Sequence, residues 1–216
     1  MKVAHVSDTH TLFPTLPAEA ELVVHSGDLF PDLLSSSISK KQNFQLNWLK
    51  RKAEDFKLWL DGRPLLFTSG NHDWISPVET LSQAGIQAYE ITNRTLEFAG
   101  HIWYGFPYIP FIYGDWNFET TSDQMGQEID KLAKLILEKE VDILVSHAPI
   151  ANILDEFNGN HYGITQMANM FNYILPQDKW PKAYLCGHIH DFGGKIINHE
   201  NMIISNAATK VNLLEL

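Results

Sequence analysis

The chain opens with the stretch MKVAHVSDTH (residues 1–10), in which a run of apolar residues gives way to a polar turn. Residues 2–6 (KVAHV) are predicted to form a buried strand, because the run is nearly continuously apolar rather than alternating. Asp8 and His10 follow this strand and are separated by one residue. A carboxylate and an imidazole at a strand end are candidate metal ligands. The question is whether other strands end in the same way.

Four further apolar runs end in polar residues of the same kinds. They are residues 21–25 before SGD, 64–68 before SGNHD, 141–145 before SHAP and 182–186 before GHIHD. In α/β folds, the loops that follow the carboxyl ends of strands gather at one edge of the sheet. The strand ends therefore predict a single cluster that contains Asp8, His10, Asp28, Asn71, His72, Asp73, His147, His188 and His190.

The types and spacing of these side chains indicate a site for two metal ions. Asp8 and His10 are two positions apart, as are His188 and His190, and in extended backbone this spacing directs both side chains to the same side. Imidazole and carboxylate ligands suit Mn, Fe, Zn, Ni or Co. The set is too large for one tetrahedral ion, and it fits two ions that share a carboxylate.

The remaining pattern predicts an α/β fold. Long helices are expected over residues 40–61 and 123–140, each with an apolar stripe at helical spacing, and shorter ones over 76–84 and 164–175. The C-terminal third is predicted to be a strand meander that closes a sheet. Strands that alternate with helices and then dominate predict a mixed sheet or two stacked sheets with helices outside. Because no repeat or Gly/Ser-rich linker interrupts the chain, we expect one domain over 1–216.

Composition excludes several classes of partner. The formal net charge is -10, which disfavours a broad grip on duplex nucleic acid, although bound cations can reverse the sign locally. Cys186 is the only cysteine, so no intrachain disulfide is expected. No apolar run approaches the ~20 residues of a membrane span, and the first strand starts at residue 2 with no leader pattern before it. A cytoplasmic protein that does not bind membranes is therefore expected.

The five polar blocks together resemble a known family. DTH (8–10), GD (27–28), GNHD (70–73), His147 and GHIH (187–190) are similar, in content and order, to the motifs of the calcineurin-like metallophosphoesterases. The resemblance implies a four-layer sandwich, in which two mixed β-sheets are flanked by helices, with a dinuclear metal centre. It also implies a small phosphorylated substrate.

The resemblance assigns a role to each residue. The implied ligands are Asp8, His10 and His190 for the first ion, Asn71, His147 and His188 for the second, and Asp28 as the bridge. His72 would protonate the leaving group, and Asp73 would orient His72. A hydroxide bridging two divalent or trivalent ions (Mn, Fe, Zn or Ni, with Mn favoured) would attack the phosphorus in line.

The substrate is less constrained than the reaction. The second block, GDLFPDLL, lacks the arginine of the family's protein phosphatases. The stretches YGFPYIP (104–110), DILVSHAP (142–149) and SNAAT (205–209) resemble a small single-domain, cyclic-nucleotide phosphodiesterase-like branch of metallophosphoesterase-domain-containing proteins. We expect phosphodiester hydrolysis, with a cyclic nucleotide among the candidate substrates. A phosphomonoesterase acting on a small metabolite and a non-enzymatic protein-binding scaffold of the same fold are the alternatives. The oligomeric state is left open.

Other polar residues have simpler interpretations. His5 and His25 lie inside predicted strands and are expected to be buried and bonded to backbone. His161 is a candidate substrate contact in a loop after His147. Asp32 is interpreted as an acid in the first turn of a helix, in preference to a partner for a side chain of the site. The aromatic segment 102–119 either stacks a nucleobase or packs as a hydrophobic lid or dimer contact.

Overall fold

A computed structural model describes residues 1–216. The strands are β1 (Lys2–Val6), β2 (Leu22–His25), β3 (Leu65–Phe67), β4 (Ala88–Glu90), β5 (Thr95–Phe98), β6 (His101–Phe106), β7 (Ile109–Pro110), β8 (Glu119–Thr120), β9 (Ile143–Ser146), β10 (Glu156–Phe157), β11 (Asn160–His161), β12 (Ala183–Cys186), β13 (Lys195–His199), β14 (Met202–Asn206) and β15 (Val211–Glu215). The α-helices are α1 (Ile38–Leu60), α2 (Val78–Gln83), α3 (Ser122–Lys139) and α4 (Thr165–Asn169), which continues as a π-helix over Met170–Ile174. Single 3₁₀ turns cover Gln177–Lys179 and His190–Phe192.

The larger strands form two mixed sheets. The first has the order β15-β1-β2-β3-β4, in which β1 to β4 are parallel and β15 is antiparallel to β1. The second has the order β13-β14-β12-β9-β6-β5, in which the four central strands are parallel and the two outer strands are antiparallel. Both sheets therefore present several parallel carboxyl ends side by side.

Three apolar clusters hold the layers together. One lies between the sheets and includes Val24 and Leu66 from the first sheet and Trp103 from the second. A second packs α1 and α2 on the outer face of the first sheet, and a third packs α3 and α4 on the outer face of the second. Each fully buried large apolar side chain contributes about 1.5–3 kcal/mol. The predicted sandwich of two mixed sheets flanked by helices is confirmed.

Capping residues set the first residues of the two long helices, α1 and α3. Ser37 caps α1 by accepting a hydrogen bond from the backbone N–H of Lys40, and α1 ends at Asp61 in the left-handed conformation. In α3, Thr121 and Gln124 form a reciprocal capping box. These caps explain why α1 and α3 start one or two residues before the predicted positions. No helix combines the length and the apolar character that crossing a membrane requires.

The last strand departs from the predicted meander. β13 and β14 pair antiparallel in the second sheet, as a meander requires, but β15 crosses to the first sheet and pairs with β1. At the crossing, the backbone N–H of Thr209 donates to the carbonyl of Ser7 at 2.9 Å, and Ser7 forms a bridge with Ala208. The chain between β14 and β15 thus pairs with residues just after β1, which directs β15 into the first sheet. The meander prediction therefore holds for β13 and β14 and is wrong for β15.

Candidate metal centre

Five parallel strands each deliver one or two candidate ligands to the same edge of the molecule. Asp8 follows β1, Asp28 follows β2 and Asn71 follows β3 in the first sheet, while His147 follows β9 and His188 follows β12 in the second. Side chains from the two sheets meet directly, since the Nε2 atom of His147 lies 3.2 Å from Oδ2 of Asp28. The site is therefore built at the junction of both sheets.

Tight turns, rather than extended backbone, bring the ligands together. Asp8, His10, Asp28 and His188 all have left-handed φ values, of 51°, 39°, 59° and 66°. Residues other than glycine adopt this region rarely, and such strain concentrates at functional sites. The expectation that alternation in extended chain would align Asp8 with His10, and His188 with His190, is wrong in its geometry. The residues converge because each strand ends in a sharp turn.

One half of the cluster is fully buried. The Nδ1 atom of His147 donates a hydrogen bond to the carbonyl of Ser26 at 2.9 Å, which fixes the tautomer of the neutral ring. Its Nε2 atom then faces two oxygen acceptors, Oδ1 of Asn71 at 3.0 Å and Oδ2 of Asp28 at 3.2 Å. A bare ring nitrogen among acceptors needs a positive charge between them, supplied by a metal ion or a proton.

The electrostatics of this buried half follow from the same contacts. Burial by itself lowers the pKa of His147, but the Asp28 carboxylate outweighs burial and raises that pKa to about 9. Burial by itself raises the pKa of Asp28, but His147 outweighs burial and holds that pKa well below its usual range. The Asp28 carboxylate and the protonated His147 thus stabilise each other's charge. A metal cation that binds here would take the place of the proton on His147.

The other half is more open. Asp8 is buried, and its Oδ1 atom lies 3.3 Å from Nε2 of the half-exposed His190, while its Oδ2 atom accepts the backbone N–H of His188 at 2.9 Å. The Nε2 atom of His10 lies 4.0 Å from Oδ2 of Asp28. This half is therefore accessible from solvent, and Asp28 lies between it and His147.

The donor atoms fit two cations. Three sets have ligand atoms within 4.8 Å of one another: Asp8–His10–His190, Asp8–Asp28–His147 and His10–Asp28–His72. The first set is the trio predicted for the first ion, and Asp28 belongs to the other two. Asn71 adjoins His147 at 3.0 Å, and the ring of His188 lies 5.1 Å from that of His147. Such clusters of histidine and aspartate are typical of dinuclear metallophosphoesterases.

Two glycines allow the loops to approach so closely. A Cβ atom added to Gly70 would clash with the Asp28 side chain, and one added to Gly187 would clash with Ser7 and Asp8. Neither position has space for any side chain, because a carboxylate of the cluster occupies it. Glycine directly before Asn71 and His188 is thus a steric requirement of the site.

His72 lies at the rim of the cluster and contacts Asp32. Its Nδ1 atom is 2.6 Å from Oδ1 of Asp32, and its Nε2 atom is 3.8 Å from Oδ2 of Asp28. Its ring lies 4.1 Å from that of Trp116, centroid to centroid. Burial by itself lowers the pKa of His72, but the hydrogen bond to Asp32 and the nearby Asp28 carboxylate outweigh burial and raise that pKa. Asp32 therefore holds the Nδ1 side of the His72 ring, and Nε2 faces the cluster.

The expected role of Asp73 is wrong. Its carboxylate accepts four backbone N–H groups, those of Asp28 at 2.7 Å, Gly70 at 2.8 Å, Leu29 at 2.9 Å and Phe30 at 3.2 Å. Instead of orienting the neighbouring imidazole, this buried carboxylate ties the loop after β2 to the loop after β3. Adjacent side chains leave the backbone in different directions, so the partner of His72 comes from another loop.

Asp32 is that partner, and its interpretation as a helix acid is also wrong. The chain around it forms no helix, and α1 begins only at Ile38. Asp32 is therefore free to face His72. The available signal was a second acid four residues after Asp28 in GDLFPD, which sequence alone could not pair with His72.

The aromatic segment 102–119 is divided between the core and the site. Trp103 and Phe106 are buried in β6, whereas Phe111 and Tyr113 are exposed on the loop. Trp116 lines the cleft around the metal ligands. Neither the lid nor the stacking interpretation applies to the whole segment. Its first part belongs to the buried core, and its last part lies at the cleft.

The two strand histidines are buried, as expected, but they bond mainly to hydroxyl groups. The ring nitrogens of His5 lie 2.8 Å from Oγ of Ser205 and 3.0 Å from Oγ of Ser26. The Nε2 atom of His25 lies 2.9 Å from Oγ1 of Thr9. Burial lowers the pKa of each histidine to about 3. Both rings are therefore neutral and structural: His5 joins the two sheets, and His25 packs 5.9 Å from the ring of Phe67 in the first sheet.

Comparisons with known proteins agree with this geometry. The family model for calcineurin-like phosphoesterases matches residues 1–192. A comparison with curated proteins finds no match. One solved structure aligns over 99% of this chain and 98% of its own, with a TM-score of 0.67 and 13% identity. The phosphopantetheinyl hydrolase PptH from Mycobacterium tuberculosis aligns over 97% and 89%, with a TM-score of 0.52 and 12% identity.

The likeness to the solved structures, at these identities, supports the fold alone. The family match carries more, since it spans most of the chain and includes each of the polar strand ends described above. The chain belongs to the calcineurin-like phosphoesterase family.

Proposed function

We propose that this protein hydrolyses a phosphodiester in a reaction that requires two bound metal ions. The observation that carries the proposal is the three overlapping groups of carboxylates and imidazoles, each with its ligand atoms within 4.8 Å of one another, together with the His72–Asp32 pair. Mn, Fe, Zn and Ni all suit these ligands, and Mn²⁺ is the ion to test first. The substrate is a small phosphorylated molecule, with cyclic nucleotides among the candidates.

The ligands divide into two groups with one residue in common. Asp8, His10 and His190 would hold one ion, Asn71, His147 and His188 would hold the other, and Asp28 would contact both. When bound, the two ions neutralise charge on the phosphoryl oxygens and lower the pKa of a water molecule. The remaining steps belong to side chains of this chain.

His72 supplies the proton for the leaving group. A water oxygen forms a bond to phosphorus, the bond from phosphorus to the leaving oxygen breaks, and the Nε2 proton of His72 passes to that oxygen. Asp32 accepts the Nδ1–H of His72, so the imidazolium is stabilised and its Nε2–H stays directed at the cluster. A positioned acid of this kind contributes about 10²–10⁴-fold in rate. The proton released by water restores His72.

We also propose that the chain is related to the small single-domain, cyclic-nucleotide phosphodiesterase-like branch, on the basis of the aromatic segment and the complete ligand set. A single domain over 1–216 is supported by the apolar cluster shared between the two sheets.

A non-enzymatic scaffold is disfavoured, because every expected ligand is present. A monoesterase is the alternative that the first experiment addresses.

The experiment is a paired assay of bis-p-nitrophenyl phosphate and p-nitrophenyl phosphate. Protein stripped with a chelator and reloaded with Mn²⁺ is compared with stripped protein and with an Asp28→Asn variant. Diester cleavage that returns with Mn²⁺ and is absent in the variant supports the proposal. Cleavage of the monoester alone supports the monoesterase. Two bound equivalents of Mn²⁺ without turnover of either ester contradict the proposed reaction on simple esters.

A further inference from the structure

A deep groove opens directly beside the metal centre. Its volume is about 710 Å³, which falls within the range of small-molecule sites. Phe111 and Ile112 lie on one side, Phe157 and Tyr162 lie on the other, and residues 188–190 connect the groove to the metal ligands. The groove is therefore continuous with the site of the reaction.

Histidines and a threonine also line this groove, but four of its side chains are large and apolar and yet face solvent. Phe111, Ile112, Phe157 and Tyr162 are 56%, 47%, 45% and 46% exposed. Large apolar side chains that are exposed together around one concavity mark a binding surface. The rings of Phe157 and Tyr162 lie 6.3 Å apart, centroid to centroid, with their planes tilted by 58°, and together they form an aromatic wall of the groove.

This aromatic wall is preformed by a buried carboxylate. Asp155 accepts hydrogen bonds from the backbone N–H of Asn152 at 3.0 Å, from that of Gly163 at 2.9 Å and from Nδ1 of His161 at 2.7 Å. These bonds close the hairpin β10–β11 at its base, on either side of Phe157. A wall held in this way loses little conformational entropy when a ligand binds.

The position of the groove distinguishes the two ester groups of a substrate. The cleft around the ligands is lined by His72 and Asp32 as well as by His188 and His190, whereas only the latter pair also lines the groove. The leaving group must lie beside His72, its proton donor. A substituent in the groove therefore lies beside His188 and His190 and belongs to the ester oxygen that stays on phosphorus.

We propose that this groove binds a flat, apolar group, of about the size of a nucleobase or a naphthalene ring, on the ester oxygen that is not cleaved. The inference rests on the proposed function, and it narrows the substrate to a phosphodiester with an aromatic second alcohol. A monoester that is cleaved at its single ester bond has no retained ester group, so its hydrolysis would leave the groove unused. Stacking against Phe111, Phe157 and Tyr162 supplies the affinity.

The test uses diesters that share one leaving group. Methyl, benzyl and naphthylmethyl esters of p-nitrophenyl phosphate are compared in Mn²⁺-loaded protein, so that only the retained group changes. We expect kcat/KM to rise roughly tenfold from the methyl to the naphthylmethyl ester, the effect of one stacked aromatic group. In Tyr162→Ala and Phe157→Ala, this ratio should fall towards one. An unchanged ratio in both variants, or no preference in the unmodified protein, would overturn the inference.

The matched control is Tyr173→Ala. Tyr173 is 82% exposed and does not line the groove, so its removal should leave the naphthylmethyl-to-methyl ratio unchanged. An equal loss in Tyr173→Ala and Tyr162→Ala would also overturn the inference.

A binding measurement separates failure of the groove from failure of the reaction. Benzyl phosphate and methyl phosphate are the products that retain the second group, and calorimetry gives their affinity for the Mn²⁺-loaded protein whether or not any diester is cleaved. Tighter binding of benzyl phosphate that is lost in Tyr162→Ala supports the groove even if turnover is absent. Equal affinity of the two phosphates overturns it, even if diesters are cleaved.

Discussion

Two fully buried histidines, His5 and His147, both bond to Ser26 and yet have opposite protonation behaviour. The Nε2 atom of His5 lies 3.0 Å from the Ser26 hydroxyl, and the Nδ1 atom of His147 donates to the Ser26 carbonyl at 2.9 Å. The pKa of His5 is lowered to about 3 by burial, whereas that of His147 is raised to about 9 because Asp28 outweighs burial. Burial alone therefore does not decide the charge.

The difference comes from the second nitrogen of each ring. For His5, that nitrogen meets the hydroxyl of Ser205, which can donate or accept and so satisfies a neutral imidazole. For His147, it meets oxygens of Asn71 and Asp28, which leave a place for a positive charge. Hydroxyl partners thus suit a structural histidine, and acceptor oxygens suit the metal-ligand role that we propose for His147. Four predictions break or sharpen this comparison.

Removal of the charge beside His147 should have the largest effect. In Asp28→Asn, His147 loses the carboxylate that raises its pKa, and both metal positions lose a shared ligand. We expect kcat/KM for a diester to fall about 10³-fold, since metal stabilisation amounts to several kcal/mol and each 1.36 kcal/mol is tenfold. Bound Mn²⁺ is counted by elemental analysis. The control is Asp142→Asn, which removes a carboxylate paired with Lys182 away from the site. Two tightly bound ions in Asp28→Asn would refute the bridging role.

His72 extends the comparison to a histidine at the rim of the cluster. Its Nδ1 atom is held by the Asp32 carboxylate, whereas the ring nitrogens of His5 are held by hydroxyl groups. In Asp32→Asn, the imidazolium loses its charged partner, and we expect kcat to fall about 10–100-fold, the range for partners that orient functional histidines. The loss should be larger for a phenyl than for a p-nitrophenyl leaving group, because the poorer leaving group needs the proton more. Equal losses with both leaving groups would show that Asp32 does not act through proton donation.

The polar strand ends were predictable because apolar runs followed by Asp or His are visible in the chain, and the family motifs order them. The partner of His72 was not predictable. Asp73 is its neighbour in sequence, but its side chain is engaged by backbone N–H groups, while Asp32 reaches His72 from 40 residues away. The crossing of the last strand and the groove beside His188 likewise depend on contacts between distant segments, which local pattern does not contain.

On the His5 side of the comparison, the partner hydroxyl can be removed without touching a predicted ligand. Ser205→Ala leaves Nδ1 of His5 without a partner in the inter-sheet core, and it removes one of the three hydrogen bonds that Nδ2 of Asn212 donates. We expect the free energy of unfolding of the metal-stripped protein to fall by about 1–3 kcal/mol, with Mn²⁺ affinity unchanged. Urea unfolding and Mn²⁺ titration measure the two. Weaker Mn²⁺ binding with an unchanged free energy of unfolding would show that His5 contributes to the metal site, and that the division into a structural and a ligand histidine is wrong.

The smallest effect is the pH dependence of folding that the neutral histidines produce. His5 and His25 have a pKa of about 3 in the folded protein, lowered by burial, against 6.5 in the unfolded chain. Between these values the unfolded state binds more protons, so their contribution to stability is fully present above about pH 6.5 and is lost as the pH falls towards 3. Each group contributes a slope of up to about 1.4 kcal/mol per pH unit. In His5→Gln, the slope between about pH 5 and pH 6 should fall by roughly that amount, as measured by urea unfolding of stripped protein. An unchanged slope would mean that His5 binds its proton equally well in the folded and the unfolded state. The pKa of His5 would then not be lowered in the folded protein, and its hydroxyl partners would not identify a neutral histidine.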